Sequence, residues 1–441
     1  MARFNLPVNL ATTYPSASDD PTVRTHQQHH DAIHRVVNLF DRTSTAATGA
    51  VPIGDGGALV TRPLTASDIA AVAEVVNVKD FGALGDGRTD DTQSLRAAAA
   101  ALTPGSCLYL PGGTYLVSSP VKITVPCYVQ GGGGGYTLQS ARADVGVVLV
   151  SPRSKTGIFT VSSDAVHFRR LFFTTWGGPS AASTNQPTAI EFTSGDCCSV
   201  SECVFTGWHR WLWFQNCASW IVRDNHFELA TGYGIQIQNR KAPDNGDQVL
   251  TGNMFASNAP WNAAALVRQE SGGGLKVIGN KFLCPGEPGA VRGFELAVAD
   301  GVHTSILLVL GNSFENFSRS SIRITHAGPQ NSGSFAKVNV TGNQFTGGRS
   351  AGPVIDICGR GSAYSLGDFL ISSNTFDGDG ARPSSFVSVA NAARVAVTSN
   401  VFFNGPTAVA VGVGATTTSV PASNSYFSVA KRVAGSAVDA S

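Results

Sequence analysis

Through the second half of the chain, one short pattern of apolar and polar positions keeps returning. Val222-Arg-Asp-Asn225-His-Phe227 recurs as Leu250-Thr-Gly-Asn253-Met-Phe255 and as Val277-Ile-Gly-Asn280-Lys-Phe282. Later copies are Val309-Leu-Gly-Asn312-Ser-Phe314, Val340-Thr-Gly-Asn343-Gln-Phe345, Ile371-Ser-Ser-Asn374-Thr-Phe376 and Val397-Thr-Ser-Asn400-Val-Phe402, and a weaker one, Val200-Ser-Glu-Cys203-Val-Phe205, lies upstream. The asparagines are 26 to 32 residues apart. A period of that length marks stacked units that bury their apolar faces only against one another. An apolar β-former, a turn-permissive pair, then Asn and Phe predict a very short strand and a tight bend. Asn tolerates left-handed backbone there, and repeated on every rung the amides should form a ladder and the rings a column.

About ten residues after each copy comes a second run with apolar residues at every other position, as in Gly234-Ile-Gln-Ile-Gln238, Gly293-Phe-Glu-Leu-Ala297, Ser321-Ile-Arg-Ile-Thr325 and Val354-Ile-Asp-Ile-Cys358. That alternation is a strand with one side inward and the other outward. The expected fold is all-β, a right-handed parallel β-helix; the leucine spacing of a leucine-rich repeat is missing.

Composition narrows the function. With 49 glycines, 14% charged residues and a net charge of +1 over 441 residues, the chain is turn-rich and nearly neutral, which argues against a nucleic-acid partner. No apolar run reaches membrane length, and the polar N-terminus is no signal peptide, so neither membrane insertion nor secretion is expected. Cys197, Cys198 and Cys203 are close together, but the eight cysteines show no paired metal spacing and are expected as reduced thiols inside rungs, with no metal or cofactor.

In chain order, residues 1–42 form an attachment arm and a helix over 26–40, with Ile33, Val37 and Phe40 on a narrow stripe suited to self-association. His26, His29, His30 and His34 on that helix suit a solvated polar face more often than a metal. Residues 43–75 make a linker or stalk, 76–415 the coil and 416–441 a short tail with one more strand at Tyr426-Phe-Ser-Val429. The run Gly131 to Gly135 is a tight rung turn; no Lys-Ser/Thr follows to make it a phosphate cradle.

Val76-Asn-Val-Lys-Asp-Phe-Gly-Ala-Leu-Gly-Asp-Gly-Arg-Thr-Asp-Asp-Thr92, with Leu108-Tyr-Leu-Pro-Gly-Gly-Thr-Tyr-Leu-Val117 as its second half, resembles the entry motif of the pectate-lyase-like β-helix superfamily. That motif is shared by polygalacturonase-like enzymes and many phage tailspikes. Gly82, Gly85 and Gly87 suit tight turns, and Asp90 or Thr89 would cap a helix near 90–102 that plugs the open end of the coil. Asp86, Asp90 and Asp91 are expected in turn and cap duty rather than catalysis. The resemblance, together with the arm before the motif, implies a phage tail appendage of the tailspike or tail-fibre type. It would be a homotrimer made in the host cytoplasm, joined to other virion tail or baseplate proteins through residues 1–75, and it would bind host-surface polysaccharide. A depolymerase of the same shape and a purely structural decoration protein are the alternatives. Polygalacturonases carry Asn-Thr-Asp, Asp-Asp, Gly-His-Gly and Arg-Ile-Lys along their cleft; in these rungs only Arg323-Ile-Thr325 echoes the last, so the resemblance gives fold and not activity.

Aligning the second strands gives an outward column of Glu191, Trp213, Gln236, Glu295, Arg323, Asp356 and Ser388, with Arg268 or Glu270 as candidates for the ambiguous rung between Gln236 and Glu295. Glu295 and Asp356, two rungs and roughly 9.5 Å apart, stand at the upper end of the carboxylate spacing for inverting glycoside hydrolysis. Arg323 between them would lower both carboxyl pKa values and favours a surface charge ladder over a general acid. The second feature is Trp208-His-Arg-Trp-Leu-Trp-Phe-Gln-Asn-Cys-Ala-Ser-Trp220. With Leu212 and Phe214 inward, Trp211 and Trp213 would point out, beside Arg210 and Gln236, as a sugar-stacking platform or a protomer interface; Trp176 and Trp261 would lie nearby.

Overall fold

The computed structural model describes residues 50–55, 58–63, 74–132, 147–151, 156–175, 186–239, 246–257, 264–284, 291–317, 319–328, 330, 332–347, 352–359, 366–379, 383–392, 394–412 and 417–435. The chain divides at Ala73/Glu74. In the first unit, strand Ala50–Asp55 pairs antiparallel with Ala58–Pro63, in register from Ala50↔Pro63 to Asp55↔Ala58. The expected linker therefore contains a hairpin, and the Gly56-Gly57 pair between two runs was its signal. The expected arm and the helix with its four histidines lie outside the described residues, as do Trp176 and Trp261.

In the second unit the recurring phrase does what its chemistry asks. Each apolar start, such as Val222 in Ile221–Arg223 or Leu250 in Val249–Thr251, sits on a thirteen-stranded parallel sheet running from Val75–Asn77 to Thr417–Ser419. Each phenylalanine sits on a second parallel wall; Phe173, Phe205, Phe227, Phe255, Phe282, Phe314, Phe345, Phe376, Phe402 and Tyr426 stack with centroids 4.6 to 5.5 Å apart. The alternating strands form a third wall, also parallel rung to rung. Three walls wound about one apolar interior make a parallel β-helix.

The asparagines occupy the bend between the first and second walls. From Asn225 to Asn424 each side-chain amide donates to the next rung's amide oxygen at 2.9 to 3.1 Å. That same oxygen also accepts the preceding asparagine's backbone N–H, as Asn280 does for Asn253 at 3.0 Å, and each amide nitrogen reaches back to a carbonyl, as Asn280 does to Leu250 at 2.9 Å. All eight amides are buried. The left-handed residue is not the asparagine but the one before it: Gly252, Gly279, Gly311 and Gly342, and at other rungs Asp224, Ser373 and Ser399. The bend needs one such residue, and glycine adopts it without a Cβ penalty. The amide is held by the ladder rather than by its own turn.

Helix Thr92–Ala100 buries Leu95 and Ala98 against the first rungs. Asp90 accepts from the Thr92 N–H at 3.0 Å, Asp91 turns back to the N–H groups of Leu84 (2.6 Å) and Gly85 (3.0 Å), and Asp86 accepts those of Arg88 and Thr89, both at 2.8 Å. All three aspartates thus hold turns or the helix start. At the other end the coil runs past residue 415: Thr417–Ser419 joins the first wall, and Ser425–Ala434 pairs in parallel with Val401–Val411. The expected tail is a last rung, with Asn424 and Tyr426 standing where the phrase places Asn and Phe.

Replacing Asn280 with Ala removes a buried acceptor of two bonds and a donor to Leu250 and Asn312. Stranded buried partners cost about 1–3 kcal/mol each, so Asn280→Ala should lower the urea midpoint by an amount equivalent to roughly 3 kcal/mol or more. Lys281→Ala, which breaks only a surface pair with Glu315, should stay within about 0.5 kcal/mol of the wild type. Equal midpoints for the two variants would show that the ladder carries no stability.

Candidate functional site

Strand pairing on the third wall puts one outward residue per rung in line: Glu191↔Trp213, Trp213↔Gln236, Gln236↔Arg268, Arg268↔Glu295, Glu295↔Arg323, Arg323↔Asp356 and Asp356↔Ser388. Every residue of the expected column lies in it, and the ambiguous rung contributes Arg268. Glu270, two residues on, faces the same wall: it accepts from Gln236 at 3.1 Å, Gln238 at 2.6 Å and Arg268 at 2.8 Å.

The tryptophan platform needs correcting. Trp211 is fully buried, tilted against Phe227 at 5.2 Å with its indole N–H on the Glu228 carbonyl at 2.9 Å. Alternation breaks within Arg210–Gln215: Trp211 and Leu212 in succession are both fully buried, and the regular alternation runs only from Leu212 onward. Room for the indole comes from Gly234 on the next rung, where a Cβ would meet the ring at 2.1 Å. Trp208 and Trp220 are buried as well, Trp220 stacked on Phe214 at 4.2 Å. Trp213 alone of the four keeps an exposed surface. The Arg210 guanidinium lies 4.5 Å from its ring centre, and the indole N–H donates to Gln238 Oε1 at 2.9 Å.

Trp213 separates two clefts. One, of about 380 Å³, is lined by Arg210, Trp213, Gln215, Asn216, Gln236 and Gln238. The other, of about 300 Å³, includes Trp213, Glu191, Gln186, Thr188 and Thr160. Arg210 ties the first together, donating to Gln236 Oε1 at 2.5 Å and to Gln186 Oε1 at 2.8 Å, and Gln215 donates to Glu191 at 2.6 Å. Burial pushes the Arg210 pKa down, although Glu191 and Glu270 pull it the other way. An aromatic face flanked by amides and a guanidinium matches the apolar face and hydroxyl edge of a sugar.

Farther along the wall, a cleft of about 280 Å³ gathers Arg268, Arg292, Arg319 and Arg323 around Glu295. Glu295 is 3% exposed and pairs with Arg268, with Arg292 at 3.5 Å and with Arg323 at 3.9 Å. Arg323 also reaches Asp356 at 3.6 Å and donates to Cys358 Sγ at 3.4 Å. Burial works against charge on Arg268 and Arg323, but nearby groups prevail and hold both pKa values up: Glu295 and Glu270 for Arg268, Cys358, Asp356 and Glu295 for Arg323. For Arg292 burial prevails and its pKa falls. Glu295 and Asp356 thus share one guanidinium, and Glu295 holds two more. A carboxylate so occupied has its oxygens committed to guanidinium partners rather than turned toward a leaving group. The sequence marked Arg323 but missed Arg292, at the start of strand Arg292–Val298, Arg319, in the bend before strand Ile322–His326, and Cys358, whose sulfur lies beside Arg323.

His209, at the corner before Arg210, covers Gly232 and has its Nδ1 3.3 Å from the Thr231 hydroxyl. Burial, helped by Arg210, lowers its pKa to about 4. A depressed folded pKa means the neutral ring contributes stability above its unfolded value near 6.5, and that contribution is lost as pH falls toward about 4. The stability difference between wild type and His209→Gln, read from urea midpoints, should therefore shift against the wild type on acidification from pH 6.5 to 4; a pH-independent difference would contradict this.

Residues 75–271 match the family model described as rhamnogalacturonase A/epimerase, pectate lyase-like. The mannuronan C5-epimerase AlgE5 of Azotobacter vinelandii is 45% identical over 71 residues, 14% of this chain and 7% of that protein. Among solved structures, the DFA-IIIase of Arthrobacter chlorophenolicus A6 superposes with a TM-score of 0.58 at 18% identity, over 79% of this chain and 94% of its own. ORF18 of Geobacillus virus E2 gives 0.50 at 13% identity, over 89% of this chain and 69% of its own. The segment 75–271 is pectate-lyase-like in sequence, and the fold that it opens is a parallel β-helix.

Proposed function

We propose that the chain is a virion tail appendage, a tailspike, tail fibre or minor tail protein, that binds host-surface polysaccharide along its third wall. The observation that carries the reading is the unbroken column from Glu191 to Ser388, in which one partly exposed indole, Trp213, stands between two polar clefts. A polymer with a short repeating unit is matched by a wall whose binding groups repeat every about 4.8 Å. The pectate-lyase-like match and the epimerase relative support a polysaccharide ligand, and the likeness to a viral protein supports the virion. Residues 1–75 would join other tail or baseplate proteins.

The second reading is a depolymerase, favoured by Glu295 and Asp356 standing two rungs apart on the same wall. Incubation with host-surface glycan separates the two: new reducing ends or unsaturated uronate mark an enzyme, retention without cleavage a binder. A binder is expected, with Trp213→Ala weakening glycan affinity about 10-fold, the equivalent of roughly 1.4 kcal/mol of lost stacking. Unchanged affinity would remove Trp213 from the site. Should turnover be found, Glu295→Gln should abolish it; full turnover in that variant would exclude the Glu295–Asp356 pair.

A further inference from the structure

Charge is spread unevenly along the third wall. At the Trp213 end the groups beside the ring are the amides of Gln215, Asn216, Gln236 and Gln238. The guanidinium there, Arg210, donates to Gln236 and Gln186, and Glu191 and Glu270 act on it as opposing charges. Glu191 itself stands one rung before Trp213 and accepts from Gln215 at 2.6 Å. Three rungs past Trp213, through Gln236 and Arg268 to Glu295, the wall is basic. Arg268, Arg292 and Arg323 pair there with Glu270, Glu295 or Asp356 and keep only 14 to 24% of their side chains in contact with solvent. Arg319 lines the same cleft, is exposed, and has no ion pair among the described residues. Burial is the main reason that the Arg292 pKa falls; Glu295 opposes the fall, and Arg323 and Arg319 add to it. Guanidinium groups crowded together and partly desolvated, in excess of their carboxylates, hold a repulsion that an incoming anion relieves.

We propose that the arginine cleft is a subsite for an acidic sugar unit of a heteropolysaccharide whose unit on Trp213 is uncharged. The inference rests on the third wall binding a glycan, and it adds that ligand's charge and spacing. Trp213 and Glu295 are three rungs apart, about 14 Å, or roughly three sugar units along a stretched chain. A guanidinium meets a carboxylate or a phosphate through paired N–H donors, so either oxyanion suits the cleft. Arg268 is held over the Tyr233 ring, 4.4 Å from its centre, and Arg323 between Glu295 and Asp356. These fixed cations set the field, and Arg319 is left to close on the ligand. A polymer with a carboxylate on every unit would bring one of them against Glu191. The wall therefore selects an isolated acid over a uniform polyanion.

Ligand-observed NMR titration of the full chain at fixed ionic strength tests the subsite, with methyl glucuronide, glucose 6-phosphate and methyl glucoside as probes. At least one acidic probe should bind about 10-fold more tightly than the neutral one, and which of the two does so tells carboxylate from phosphate. Arg319→Ala should remove that preference and Arg319→Lys restore part of it. Trp213→Ala, and Arg394→Ala in its exposed pair with Asp368 on the first wall, should leave it intact. Equal affinity for all three probes would overturn the inference, as would a preference that survives Arg319→Ala or is lost in Arg394→Ala. A second arm uses host-surface glycan. Reducing its carboxyl groups to alcohols, or cleaving its phosphodiesters, should weaken retention about 10-fold, and polygalacturonate should be held less tightly than the intact glycan. Intact glycan retained equally well after both treatments would overturn the inference while leaving glycan binding in place. No retention of the intact glycan would sink glycan binding itself and the polymer part of this inference; the acidic-sugar preference and its loss in Arg319→Ala would still establish the subsite.

Discussion

A buried side-chain amide, repeated at the same bend of successive rungs and hydrogen-bonded from each to the next, sets the terms for the rest of this molecule. At the bend between the first and second walls the backbone leaves one sheet before entering the next, and its N–H groups would face an apolar interior unpaired. The asparagine side chain supplies the missing acceptor and passes its own donors to the neighbouring rung and to a carbonyl behind. Each bond is worth only about 1 kcal/mol net, but each one broken strands partners that cannot reach water. The ladder therefore penalises any slip of register. A one-residue slip would also turn the phenylalanines out of the interior and the charged column into it.

Function depends on that fixed register. Residues separated by 22 to 33 positions in sequence become neighbours along a wall, so Trp213, Gln236 and Arg268 form one surface although nothing in the local chain joins them. The coil can present unlike walls because the sheets share an interior but not an outer environment. One outer face is a ladder of amides, guanidinium groups and carboxylates; another mixes exposed apolar residues such as Tyr128, Ile221 and Leu370 with His167, Ser199, Lys276 and Asn339.

Much of this was legible in the sequence because strand alternation and a repeated phrase are direct prints of geometry. The column from Glu191 to Ser388 follows from period-two alternation plus the repeat, and the strand pairing keeps it without a shift. What was not legible lies where alternation stops. Trp211 follows a corner, and its inward turn depends on a glycine that lies 23 residues away in sequence but on the adjacent rung. Arg292 meets Glu295 from the start of its strand and Arg319 lines the same cleft from a bend, positions no periodicity marks. The last rung was disguised because tyrosine replaces phenylalanine and the apolar start is weak, while the Gly56-Gly57 hairpin was hidden in a stretch whose composition resembles a linker. The bend's left-handed residue was assigned one position late, since Asn and Gly tolerate the same backbone region and only the hydrogen bonds separate their duties.

Native-state hydrogen exchange of the backbone N–H groups of Asn225, Asn253, Asn280, Asn312, Asn343, Asn374 and Asn400 tests the ladder most directly, because each donates to a side-chain amide one rung away rather than to ordinary sheet backbone. These amides should exchange as slowly as the central strand amides of the same rungs, opening only with the coil itself. Rapid exchange at the asparagines while the flanking strands stay protected would mean that the bends are open to water and that register is kept by something other than the amides.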